Sequence, residues 1–237
     1  MPARTPIWTA IASALRHEIS EGLYLAGDKI PTEATLATRF GVNRHTVRHA
    51  IAALAGEGVV HARRGAGVFV TSTPTDYPIG PRVRFHQNLV AAGRTPAKKV
   101  LLLETRSARP TERAALALDE GAQVQVYEGL SLAEGRPIAL FRSVFPAERF
   151  PDILEHLRSN PSVTAALDAC GVTDYTRAST RINAKLATAT QALHLLVAQN
   201  APILRTISVN VDRHGVPVEA GRTWFAGDQV TLTLNDF

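Results

Sequence analysis

Cysteine is nearly missing: one residue, Cys170, in 237. A lone thiol excludes an internal disulfide and a cysteine-rich metal centre. No apolar run approaches the ~20 residues of a membrane span, and the opening MPARTPIWTA lacks the hydrophobic stretch of a signal peptide. A reducing, cytoplasmic setting with no membrane partner is the expectation. Lysine is also scarce, at 4 against 22 arginines in a chain of net charge +5. The planar arginine fork suits phosphate and carboxylate better than the lysine point charge, so the balance favours anionic partners. There is no low-complexity tract and no internal repeat. The composition, 45% hydrophobic and 20% charged, is that of a globular chain long enough for two domains.

The first seventy residues read as three helices and a hairpin. Ile7, Ile11, Leu15 and Ile19 recur at helical spacing, in a helix ending near Gly22. Thr32 is suited to cap a second helix, whose apolar face is Leu36 and Phe40 and which Gly41 closes. Asn43 caps a third, running to about Gly56 with Val47, Ile51 and Leu54 inward. Val59–Ala62 and Val68–Val70 are short strands joined by a basic, glycine-rich tip. Thr71 to Pro81 holds three prolines and one glycine in eleven residues and no apolar period, which reads as a linker.

Beyond it, strands are expected at 98–105, 123–132, 138–145, 174–184, 203–212, 216–225 and 229–235, and helices at 84–93, 110–118, 147–158, 162–169 and 188–198. The fold class is α+β: an N-terminal winged helix-turn-helix (1–72), a linker (73–81) and an antiparallel-sheet domain (82–237).

The third helix has two faces at roughly 100° per residue. Val47, Ala50, Ile51 and Leu54 cluster on one side; Arg44, His45, Arg48 and His49 occupy much of the rest. Arg44 and Arg48 can each offer a bidentate pair to guanine O6 and N7, and Thr46 can hold a phosphate. At the wing, Arg63 and Arg64 carry charge while Gly65 and Gly67 allow close approach to the minor groove. Residues 1–72 carry a balance of only +3, so bulk charge does not decide for DNA; the order of basic face, tight turn and wing does. Two arginines and two histidines on a solvated helix face are common in themselves. His45, His49 and His61 lack metal-site spacing, and no metal or cofactor is expected.

Gly27-Asp28-Lys29-Ile30-Pro31-Thr32-Glu33, Leu36-Ala37, Phe40-Gly41-Val42-Asn43-Arg44, Thr46-Val47-Arg48, Leu54 and Glu57-Gly58, closed by Gly65-Ala66-Gly67-Val68-Phe69-Val70, resemble the GntR-family DNA-binding signature. The resemblance implies that Arg44 and Arg48 contact bases, that Thr46 contacts phosphate and that Gly65 lies over the minor groove. Many members carry arginine directly after the Glu33 position; here it is Ala34, which removes one DNA contact. Arg84-Phe85 through Gly93 and Pro96, Gly135-Arg136-Pro137-Ile138 and Pro217-Val218-Glu219 resemble the effector domain of the HutC-type branch, the UTRA domain, of chorismate-lyase-like fold. Phe145 to Pro151, Asp174 to Arg181 and Gly221 to Asp228 resemble the phosphonate-metabolism regulators of that branch. Together these imply a homodimeric repressor of phosphonate genes on an operator of two half-sites, controlled by a small anionic effector.

The start of helix 162–169 offers free amides together with the Ser162 and Thr164 hydroxyls, although capping is the commoner work of such a serine. By the same resemblance, Arg84 and His86 lie where sugar-phosphate sensors hold their phosphate. Strand alternation puts Glu219, Thr223 and Phe225 on one face, and Phe141 with Ser143 likewise; Tyr175, Arg177, Ser179 and Arg181 form a third row. Ser131 completes the candidate effector set. Sugar-phosphate sensors carry arginines near the Gly129 and Ser131 positions and an acid near Phe141, so their absence argues against an amino-sugar. Two other readings stay open: a regulator of a different catabolic pathway, and a lyase-like enzyme built on the second domain. For the enzyme, no nucleophile with an evident base and no carboxylate pair stands out.

Overall fold

The computed structural model describes residues 6–63, 65–71, 74–80, 82, 89, 90, 93 and 95–234. Contacts divide the chain into two compact units, Met1–Thr73 and Pro74–Phe237. In the first, α1 (Ile7–Ser20), α2 (Glu33–Phe40) and α3 (Arg44–Gly56) precede a hairpin of β1 (Val60–Arg63) and β2 (Gly67–Val70). Local chemistry sets the helix ends. The Thr32 hydroxyl accepts the Thr35 amide at the start of α2, and Gly41 closes that helix in the left-handed region at φ 65°. Leu15, Leu36, Val47 and Leu54, one or two from each helix, are fully buried together with Val60 and Val70 of the hairpin. Gly27 and Ile30 donate to the carbonyls of Val70 and Val68, so the segment before α2 makes a single antiparallel bridge beside β2, Lys29 opposite Phe69.

The second unit is built on a six-stranded antiparallel sheet of β4 (Pro96–Ser107), β5 (Gln123–Ala133), β6 (Arg136–Pro146), β7 (Tyr175–Leu186), β8 (Pro202–Asp212) and β9 (Pro217–Ala226), in the order β4-β5-β6-β9-β8-β7. That order is two meanders meeting at β6 and β9. Each meander carries one helix after its first strand, α4 (Pro110–Leu116) or α7 (Ala189–Leu195). The halves match in detail. Leu116 and Leu195 are both buried, Ala117 and Leu196 both end their helices in the left-handed region at φ 53°, and Pro137 and Pro217 both follow the hairpin turn. Arg142 and Arg222 face each other across the central pair. The chain therefore contains an internal duplication, where no repeat was expected: so few side chains are common to the halves that only topology exposes it.

Alternation gives the sheet two faces. Val124, Val126, Leu130, Leu140 and Val144 pack under α4 and α7. Tyr127, Phe141 and Phe145 face the other way, against α5 (Ile153–Ser159) and α6 (Val163–Ala169). Burying side chains of this size contributes roughly 1.5–3 kcal/mol each.

The structure corrects two boundaries. The expected linker 73–81 is not free chain, because Thr75–Pro78 form β3, parallel to β10 (Val230–Thr233). Thr75, Tyr77 and Ile79 are buried in alternation, a period of two that the intervening prolines obscured. The helix expected at 147–158 begins only at Ile153, since Ala147 to Asp152 form turns. The helix expected at 84–93 falls largely outside the described residues.

Candidate DNA-reading face and effector cavity

On α3, Arg44, His45, Arg48 and His49 are exposed. Arg48 is not loose. Its Nε donates to Glu33 Oε1 at 3.0 Å and its Nη2 to Glu33 Oε2 at 2.7 Å, so one edge of the fork is clamped to the first residue of α2. The hydrogen bonds to Arg48 hold the Glu33 carboxyl below the usual carboxylate range. The His49 ring packs on Trp8 of α1, with centroids 5.7 Å apart, at the flank of the basic face. Thr46 donates both its amide and its hydroxyl to Asn43 Oδ1, at 2.9 and 3.0 Å, so its donors serve the helix cap.

At the wing, the Arg63 guanidinium lies 4.7 Å from the Phe69 ring centre and its Nε donates to His61 Nε2 at 3.1 Å. Gly65 takes a left-handed φ of 74°. Gly67 takes a φ of 117°, a conformation that favours glycine, and the Lys29 side chain crosses over it, within 2.5 Å of where a Cβ would sit. Lys29 is a basic group that reading the hairpin alone missed. Arg64 lies outside the described residues.

The second unit holds a cavity of about 700 Å³ against the Tyr127–Phe141 face of the sheet. Ser131, Ser143, Ser162, Thr164, Arg177, Glu219 and Phe225, seven of the nine candidate effector residues, all line it. The other two, Arg84 and His86, lie outside the described residues. The first half of the duplication supplies Phe141, Ala139 and Ser143; the second supplies most of the polar floor, Thr206, Ser208, Asn210, Glu219 and Thr223.

A chain of hydrogen bonds crosses that floor. The Arg177 Nε donates to Asn210 Oδ1 at 3.0 Å, Asn210 Nδ2 donates to Glu219 Oε2 at 2.6 Å, and Ser143 donates to Glu219 Oε1 at 2.5 Å. Above it, Ser162 caps α6 by accepting the Ala165 amide at 3.3 Å, which commits it to the structural half of its two readings while leaving it on the cavity wall. Tyr127 donates to the Pro161 carbonyl at 3.2 Å, and the Thr164 and Tyr175 hydroxyls meet at 2.9 Å, so the loop before α6 and the first turn of α6 are each tied to the sheet.

Lys98 was absent from the sequence-derived set. Its ammonium enters the cavity 4.9 Å from the Phe141 ring centre and 5.8 Å from that of Tyr127. Burial pushes it down to about 8, against the opposing pull of the Glu219 charge. Only its rarity could have singled it out. Asn210, Thr206 and Ser208 were legible by alternation on their strand and were overlooked. The expected row Tyr175, Arg177, Ser179, Arg181 is broken: a bulge between Arg177 and Ser179 shifts the register, so Arg177 pairs with Asn210 on the cavity face while Ser179 pairs with Val209 on the other. Arg142 and Arg222 also sit on the far face, where Arg142 is ion-paired with Glu128.

Known proteins place these two units. Residues 8–70 match the bacterial regulatory proteins of the gntR family, and residues 91–231 match the UTRA domain. The chain belongs to the GntR family, in its UTRA-bearing HutC type. This GntR-family regulator is 40% identical to an uncharacterized HTH-type transcriptional regulator of Rhizobium meliloti, over 96% of this chain and 94% of the relative. It is 32% identical to the Escherichia coli protein named probable transcriptional regulator PhnF, over 94% and 92%. Its fold is similar to the crystal structure of PhnF from Mycobacterium smegmatis, with a TM-score of 0.65 at 26% identity, covering 96% of this chain and 99% of that one. The GntR-family chain is thus a transcriptional regulator and not an enzyme, and its DNA-binding part is the winged unit. Among the described residues, no helix is long and apolar enough to cross a membrane.

Proposed function

We propose that this regulator represses genes for phosphonate uptake and breakdown, and that a small anionic effector in the cavity controls its hold on DNA. Residues 1–72 read the operator and residues 82–237 bind the effector and join two copies, whose two-fold axis matches two half-sites. Arg44 and Arg48 face guanines in the major groove, with Arg63, Arg64 and Gly65 at the minor groove. The effector acts through different affinities for DNA-competent and DNA-incompetent arrangements of the paired units. The observation that carries the effector reading is that Lys98 and Arg177 both line one cavity, where a cation partly shielded from solvent attracts an anion more strongly than it does in water. The likeness to PhnF supports the pathway.

Thermal denaturation of the full chain tests this reading, with millimolar inorganic phosphate, phosphonoacetate or 2-aminoethylphosphonate added. Binding at a hundred times Kd adds about 2.7 kcal/mol of stability. At least one of these anions raises the melting temperature, and Arg177→Ala removes the rise. A melting temperature indifferent to all three overturns the anionic-effector reading.

A further inference from the structure

The cavity holds charge of both signs, and its negative member is fixed in place. Glu219 is 7% exposed. Each of its carboxylate oxygens accepts one hydrogen bond, from Ser143 and from Asn210, which orients the group and leaves a lone pair on each oxygen for a further donor. Gly221 keeps the space beside it open: a Cβ there would come within 2.8 Å of Ser208 Oγ and 3.9 Å of Glu219 Oε1. Ser131, Thr206 and Ser208 are 4%, 6% and 7% exposed, line the same cavity, and have no side-chain hydrogen bond among the described residues. Buried polar groups of this kind are normally satisfied, so these hydroxyls suit a ligand that brings hydrogen-bonding atoms of its own. Lys98 meets them from the edge strand β4, its ammonium against the face of Phe141.

A plain anion answers only half of this arrangement. It pairs with Lys98 and Arg177 but brings nothing that Glu219 can accept from, and its charge is repelled by the carboxylate. On the reading that the effector is a small anion, we infer that it is a zwitterion. One end is a tetrahedral oxyanion lying toward Lys98 and the free hydroxyls. The other is an ammonium group donating to Glu219. A short ω-aminoalkyl phosphonate has this chemistry, and so does the phosphate monoester of a short amino alcohol; both fit easily within about 700 Å³.

The test is calorimetric titration of the full chain with 2-aminoethylphosphonate, ethylphosphonate and O-phosphoethanolamine, repeated on Glu219→Gln. A site built around a hydrogen-bond acceptor rejects the analogue lacking the donor, so 2-aminoethylphosphonate binds at least about tenfold more tightly than ethylphosphonate. Glu219→Gln, which keeps the shape and removes the charge, brings the two ligands to within about threefold of each other. O-phosphoethanolamine separates the ester from the carbon–phosphorus source of the same zwitterion, and tighter binding by either supports the inference. Equal or tighter binding of ethylphosphonate to the unaltered protein overturns it while leaving an anionic effector standing. A preference that survives in Glu219→Gln also overturns it. If no ligand binds to protein that still melts cooperatively, the anionic-effector reading fails first. The comparison on the unaltered protein decides the matter even if the variant does not fold.

Discussion

Removing Glu33 is the perturbation that says most about how the winged unit reads sequence. In the structure, the Glu33 carboxylate holds the Nε–Nη2 edge of Arg48, and Nη1 together with the second Nη2 hydrogen is left to face outward. On the proposal that Arg48 reads a guanine, that outward edge is the one the base accepts from, and the carboxylate fixes the plane of the fork before DNA arrives. An exposed ion pair of this kind adds little to stability; its effect belongs to binding. Glu33→Ala frees the arginine, which must then be ordered on the operator at a cost equivalent to about two- to tenfold in affinity. The same change deletes a negative charge near the DNA backbone and slightly tightens non-specific binding. The expected result is a fall in the ratio of specific to non-specific affinity of about three- to twentyfold, read by fluorescence anisotropy on operator and scrambled duplexes at one stated salt concentration. Glu33→Gln recovers part of the loss, because the amide oxygen still accepts from the guanidinium. An operator affinity that rises in Glu33→Ala as much as non-specific affinity does would show that Glu33 competes with DNA for Arg48 and would refute the reasoning.

Four more outcomes are expected. Asn43→Ala removes the acceptor that holds both the amide and the hydroxyl of Thr46 and costs about 1 kcal/mol in urea denaturation; an unchanged midpoint would leave the cap without energetic weight. Anion binding weakens as pH rises through about 8, where Lys98 loses its proton. Lys98→Met abolishes that pH dependence, and a flat profile in the unaltered protein would remove Lys98 from the effector contact. For folding the sign is opposite. Because burial lowers the Lys98 pKa, the unfolded chain binds more protons between about 8 and 10.5, and this group's contribution to stability rises with pH over that window; a contribution that falls there would contradict the burial. Gly221→Ala places a methyl group against Ser208 and reduces effector affinity while operator binding in the absence of ligand stays unchanged, as paired anisotropy titrations would report.

What could be read from the sequence was what local chemistry writes. Thr32, Gly41 and Asn43 mark helix ends through bonds to residues three or four positions away, and the structure forms those bonds. Strand alternation likewise put Glu219 with Phe225 on one strand face and Ser143 with Phe141 on another, and the sheet brings all four to the cavity. The failures are all long-range. Nothing local reveals that Thr75–Pro78 will pair with a strand some 150 residues away, or that a bulge will turn Ser179 and Arg181 out of the cavity. The Glu33–Arg48 clamp joins two helices across a turn, and the likeness of the two meanders lies in their topology, with few side chains in common. Lys98 escaped because an edge-strand lysine is ordinarily solvated; the Phe141 and Tyr127 rings beneath its ammonium come from two other strands.

The central claim is that one chain couples a DNA-reading unit to an anion-sensing cavity. The most direct measurement is fluorescence anisotropy of the full-length protein on duplex DNA from upstream of its own gene, at fixed salt, with and without millimolar 2-aminoethylphosphonate. Specific binding whose affinity shifts with the ligand, and no longer shifts in Arg177→Ala, is the predicted result. Specific binding that ignores the ligand, in protein that calorimetry shows to have bound it, would contradict the coupling.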